Sequence, residues 1–159
     1  MKSRYLGVMR KMLPHLRDAD ILWVLTGSLA FALQGIPLEV HDIDIQSDED
    51  GAYEIARLFP QHLIKPVTFS STDIIRSHFG RLLIDDIKVE IMGNLQKRLR
   101  DGTWEPAPDL YTLRGYIDFD DLKIPVFPLE YEHKAYLMLG RPQTAMLLRD
   151  WLDDHPQKT

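Results

Sequence analysis

The 159-residue chain has no cysteine, which removes disulfides and every thiolate metal site together. It also lacks a long apolar run: no stretch approaches the roughly 18 residues a membrane-spanning helix needs. The N-terminal MKSRYLGVMRKMLPHLRDAD has basic and apolar residues but no continuous apolar core of signal-peptide length. A basic excess is missing too. The net charge of −5 gives no global field for holding nucleic acid, and it speaks mildly against long nucleic-acid substrates. There is no internal repeat and no low-complexity segment. What remains is 45% apolar and 27% charged, an ordinary composition for a globular domain. A single soluble, cytoplasmic domain spanning 1–159 is expected.

Helical spacing of Tyr5, Val8, Met9, Met12 and Leu16 predicts a helix over 5–16. The apolar run ILWVL at 21–25 reads as a buried strand that stops at Thr26-Gly27. Ser28 is placed to cap a helix carrying Leu29 to Leu33, which Gly35 and Pro37 end. A strand follows over 40–46. Ser47 with Asp50 resembles a capping box for a helix running to Phe59 and Pro60. A short strand is expected at 66–70. Two strand-like runs, 79–84 and 87–93, stand at hairpin spacing around Asp85-Asp86. Residues 95–100 read as a short basic helix with a solvated face, 111–119 and 123–127 as a second hairpin, and 129–139 and 141–152 as two helices parted by Gly140 and Pro142. The mixture predicts an α+β layer domain, a mixed sheet flanked by helices, with its core at about 20–94 and its C-terminal helices at about 129–154.

Most of the 24 acidic residues have a bland explanation. Asp48, Glu49 and Asp50 suit the first turn of a helix, while Asp85 and Asp86 suit a turn. Asp42 and Asp44 in HDIDI are different. Side chains at i and i+2 of a strand share a face, so both carboxylates project together while Ile43 and Ile45 enter the core. Their repulsion raises one pKa unless a cation sits between them. Oxygen ligands on a strand, without a histidine cluster, suit magnesium. Glu90, the single acid at the centre of KVEIM, is the candidate third carboxylate if its strand lies beside the first. A lone DxD pair is weak evidence, as is a Gly27-Ser28 turn between strand and helix. Together they describe a triphosphate cradle beside a metal site.

This arrangement resembles the nucleotidyltransferase superfamily, the one that includes DNA polymerase beta: Gly27-Ser28, a helix, a strand with Asp42 and Asp44, and a later strand with Glu90. The chain is similar to its compact bacterial group of aminoglycoside and lincosamide nucleotidyltransferases and minimal toxin–antitoxin nucleotidyltransferases. The resemblance implies the nucleotidyltransferase fold and a Mg2+-dependent enzyme with a two-metal site at Asp42, Asp44 and Glu90. ATP or another NTP would lie over Gly27 and Ser28, and a nucleoside monophosphate would pass to a hydroxyl of a small molecule, an RNA end or a protein. Lys134 and Arg141 both loosely match the helix Lys or Arg that often serves the phosphates in relatives. Glu39 stands where members often carry a basic residue. The rival expectation is a catalytically weak interaction protein of a toxin–antitoxin pair, with a small helical protein as partner.

Overall fold

The computed structural model describes residues 2–156. Helix α1 (Lys2–Asp18) buries Leu6, Val8, Met9, Met12 and Leu16 on one stripe. Strand β1 (Trp23–Thr26) is buried throughout and runs straight into α2 (Gly27–Leu33). Then come β2 (Ile43–Ser47), α3 (Glu49–Leu58), and three long strands, β3 (Leu63–Ser71), β4 (Ile75–Ile84) and β5 (Ile87–Lys97). A helical turn α4 (Leu110–Leu113) precedes the hairpin β6 (Gly115–Phe119) and β7 (Leu122–Val126), and the described chain closes with α5 (Leu129–Met138) and α6 (Pro142–Asp154). None of these helices is long and apolar enough to cross a membrane.

The strands form one seven-stranded mixed sheet in the order β3-β4-β5-β2-β1-β7-β6, so the architecture is α+β. Two pairings are parallel, β2 with β5 and β1 with β7, and they stand at the centre. Period-two alternation builds the core there. Ile43, Ile45, Val89 and Ile91 are all fully buried and belong to one apolar cluster with α1 and α3. The residues between them, Asp44 and Glu90 among them, are left for the opposite face.

Several local expectations are corrected. Strand β2 begins at Ile43, so residues 40–42 are irregular and Asp42 lies just before the strand. The cap of α3 is Asp48, whose Oδ1 accepts from Gly51 N at 2.8 Å. Ser47 instead donates to the Asp48 carbonyl. Ser28 does not cap α2: the helix starts at Gly27, with Thr26 at the cap position and no side-chain cap bond. Residues 95–97 are not helical but continue β5, because β4 supplies a pairing partner as far as Ile75↔Lys97. Residues 111–113 belong to α4, leaving a shorter β6.

Candidate active site

A cleft of about 530 Å3 opens between the polar face of the central strands and helices α5 and α6. Four local features aim its side chains. Thr26, the last residue of β1, pairs with Asp44 across the antiparallel β1–β2 ladder. Gly27 follows at φ +75°, and an added Cβ would collide with Asp44 Oδ2. Only glycine lets the chain turn there beneath that carboxylate. On its other side, Asp44 stands opposite Glu90 in the parallel β2–β5 ladder. Asp42 lines the same cleft from just before β2. The loop carrying it is pinned by the Ser28 hydroxyl, which accepts from His41 N at 3.1 Å, and by Tyr5 Oη donating to the Val40 carbonyl at 3.1 Å.

The acids repel one another. Burial pushes the Asp44 carboxyl up to about 7, Glu90 and Asp42 push the same way, and Arg141 opposes them. A carboxyl so placed is a strong attractor for a cation. Arg141 also lines the cleft, and its guanidinium lies 5.7 Å from the Tyr136 ring centre. Lys134 is exposed and is not among the cleft-lining residues. Of the two helix cations singled out in the sequence, Arg141 is the one in the site.

Three participants were not singled out from the sequence. Glu132 on α5 is 3% exposed and accepts from Thr26 Oγ1 at 2.6 Å. Burial pushes it up to about 8, against the Thr26 hydrogen bond and the Lys97 charge. Lys97 is also 3% exposed; it bonds Tyr131 Oη at 3.2 Å and lies 3.7 Å from Glu105. Burial lowers its pKa, against Glu105 and Glu132. Arg81 on β4 donates to Glu90 at 2.9 Å. A signal for Glu132 existed: it interrupts the apolar spacing Leu129–Glu132–Ala135, all buried on one helix face.

A family model for aminoglycoside-2''-adenylyltransferase matches residues 8–151. The chain belongs to the aminoglycoside-2''-adenylyltransferase family. It is 55% identical to a candidate nucleotidyltransferase from Thermotoga maritima of known crystal structure, covering 98% of this chain and 96% of that one with a TM-score of 0.84. The lincosamide antibiotic adenylyltransferase LnuA, solved with lincomycin bound, is 13% identical over 78% of this chain and 80% of that one, TM-score 0.55, a likeness of fold alone. A comparison with curated proteins finds no match. The family and the Thermotoga neighbour make the chain an enzyme of the nucleotidyltransferase class.

This class of enzyme implies a divalent metal. Among the described residues, no three histidine, aspartate or glutamate side chains are arranged to hold a metal ion by themselves. Magnesium does not require three, because it is usually held by one or two carboxylates plus substrate phosphates. Asp42 and Asp44 supply hard oxygens, and the burial and carboxylate repulsion that raise Asp44, only partly offset by Arg141, are what a cation would counter. The donors fit.

Proposed function

We propose that the protein transfers a nucleoside monophosphate from an NTP, in a Mg2+-dependent reaction, to a hydroxyl of a small-molecule acceptor. The observation that carries this reading is the in-register facing of Asp44 and Glu90 on adjacent parallel strands, with Gly27 turning directly beneath the Asp44 carboxylate. Asp42, Asp44 and Glu90 would hold the metal, which when bound stabilises charge on the attacking and leaving oxygens of an in-line displacement.

The protein's own groups do the rest. Gly27 and Ser28 bring backbone close to the place where the triphosphate lies, and the Ser28 hydroxyl fixes the loop bearing Asp42. Arg141 faces the same acids and offers a positive group to phosphate. Glu90 orients the acceptor hydroxyl. The cleft volume is in the range of small-molecule sites. Five carboxyl groups line it (Glu39, Asp42, Asp44, Glu90 and Glu132) beside two cations, Lys97 and Arg141, and with Glu132 protonated up to about pH 8 the acids still outnumber the cations. That balance favours an acceptor bearing amines, in keeping with the family name.

Incubation with Mg2+, each of the four α-labelled NTPs and a panel of polyhydroxylated amines tests the reading. Label should move to at least one panel member with matching pyrophosphate release, and Asp44→Asn should abolish it. Label transfer undiminished in Asp44→Asn would overturn the assignment.

A further inference from the structure

Glu90 is already engaged. Arg81 Nη2 donates to Glu90 Oε2 at 2.9 Å, and the two residues are direct partners in the β4–β5 ladder. Their side chains are 31% and 23% exposed, so water screens the pair only in part. The Arg81 guanidinium is 5.5 Å from the Phe79 ring centre, which backs it on one side. Its Nε is buried and has no hydrogen-bond partner among the described residues. A buried donor left without a partner is costly, and the hydrogen bond of Nη2 to Glu90 and the Phe79 ring are what offset it. The contact it gains is Glu90.

This geometry matters for the site. A fixed positive charge on Glu90 competes for an oxygen that a metal ion would use, and it repels the incoming ion. Among the described residues neither Asp42 nor Asp44 has an ion pair of this kind, and the cation acting on Asp44 is Arg141, from the opposite wall.

We propose that Arg81 is a positioning residue that keeps Glu90 occupied in the metal-free protein, so that the metal position using Glu90 fills only together with the nucleotide's phosphates. This rests on the reading of Asp42 and Asp44 as metal ligands. The ion pair spares Asp42 and Asp44 the full repulsion of Glu90. It also makes loading ordered. Asp42 and Asp44 accept an ion first, and Glu90 leaves Arg81 when a triphosphate brings enough negative charge to outweigh the guanidinium. Occupancy of the complete site is thereby coupled to the presence of substrate.

Mn2+ alone, without nucleotide, is the probe, read by isothermal titration and by loss of the free-ion electron paramagnetic resonance signal. The wild type should bind one ion per chain. Arg81→Met should bind a second, or tighten the weaker position on the order of tenfold. Arg81→Lys keeps the charge and should behave as wild type, and Arg81→Met with Glu90→Gln should lose the gain. Arg81→Gln, which can still donate to Glu90, is the second uncharged variant should the methionine form fold poorly. A purely structural role would lower the melting temperature and leave the Mn2+ isotherm unchanged. Equal Mn2+ binding by wild type and the uncharged variants overturns this proposal alone. Binding by none of them overturns it together with the metal reading.

Discussion

Thr26 Oγ1 donates a 2.6 Å hydrogen bond to Glu132 Oε2, joining the end of β1 to α5 beside the register partner of Thr26, Asp44. Glu132 and Asp44 are both raised, to about 8 and about 7, chiefly by burial. Both values lie above the ordinary carboxylate range near 4 that the unfolded chain has. Between the two ranges the folded protein holds protons that the unfolded chain has released. The stability these two groups contribute is therefore fullest below about pH 4 and is lost as pH rises through 7 to 8. Thermal melts in chelator should give a lower Tm at pH 8 than at pH 5. Glu132→Gln still accepts from Thr26 but cannot ionise, so it should shrink that difference. An unchanged pH dependence in Glu132→Gln would contradict the account.

Gly27→Ala separates the backbone from the carboxylate. The left-handed φ of +75° costs a non-glycine residue about 1–2 kcal/mol, and the new methyl strikes Asp44. Chemical denaturation should show at least that loss, and Mg-ATP affinity should fall further than stability because Asp44 is displaced. Normal affinity in folded Gly27→Ala would remove this turn from the site.

Ser28→Ala should act through the loop rather than through the helix. The lost bond is the one to His41 N, worth about 0.5–1.5 kcal/mol, and the segment released is the one that carries Asp42. Denaturation together with nucleotide titration checks this. A folded, slightly destabilised variant with weakened Mg-ATP binding is expected, whereas undiminished binding would show that the loop needs no pin.

Gly93→Ala is a control on the opposite face of the sheet. A Cβ there would lie 2.6 Å from Ala52 Cβ and 2.9 Å from the Asp48 carbonyl, forcing α3 off the sheet at a cost of about 1–3 kcal/mol. Tm should drop, while Mg-ATP affinity in the folded fraction should hold.

The sequence made the strands bearing Asp44 and Glu90 legible because each alternates an acid with fully buried isoleucine or valine, a pattern only a half-buried strand satisfies. The same logic failed at 95–97. Leu-Gln-Lys-Arg-Leu-Arg satisfies helical and strand spacing alike, and the deciding factor was a partner strand 20 residues away. A register shift between Arg76 and His78 and the left-handed Asn94, φ +52°, also rotate the end of β5. That rotation brings Leu95 and Lys97 to the cleft alongside Glu90 and Met92. Nothing local in the sequence announces such a turn of face. Arg81 escaped notice because its importance comes only from standing opposite Glu90. A cation on α5 is visible in the sequence at Lys134, but the helix phase turns Glu132 inward and leaves Lys134 exposed.

The central claim is that Asp44 binds nucleotide through a metal ion. Calorimetric titration of ATP into wild type and Asp44→Asn, each with Mg2+ and with chelator, tests it most directly. Binding by the wild type that requires Mg2+ and disappears in a folded Asp44→Asn protein is the expected result. ATP binding of equal affinity in Asp44→Asn, or in chelator, would contradict it.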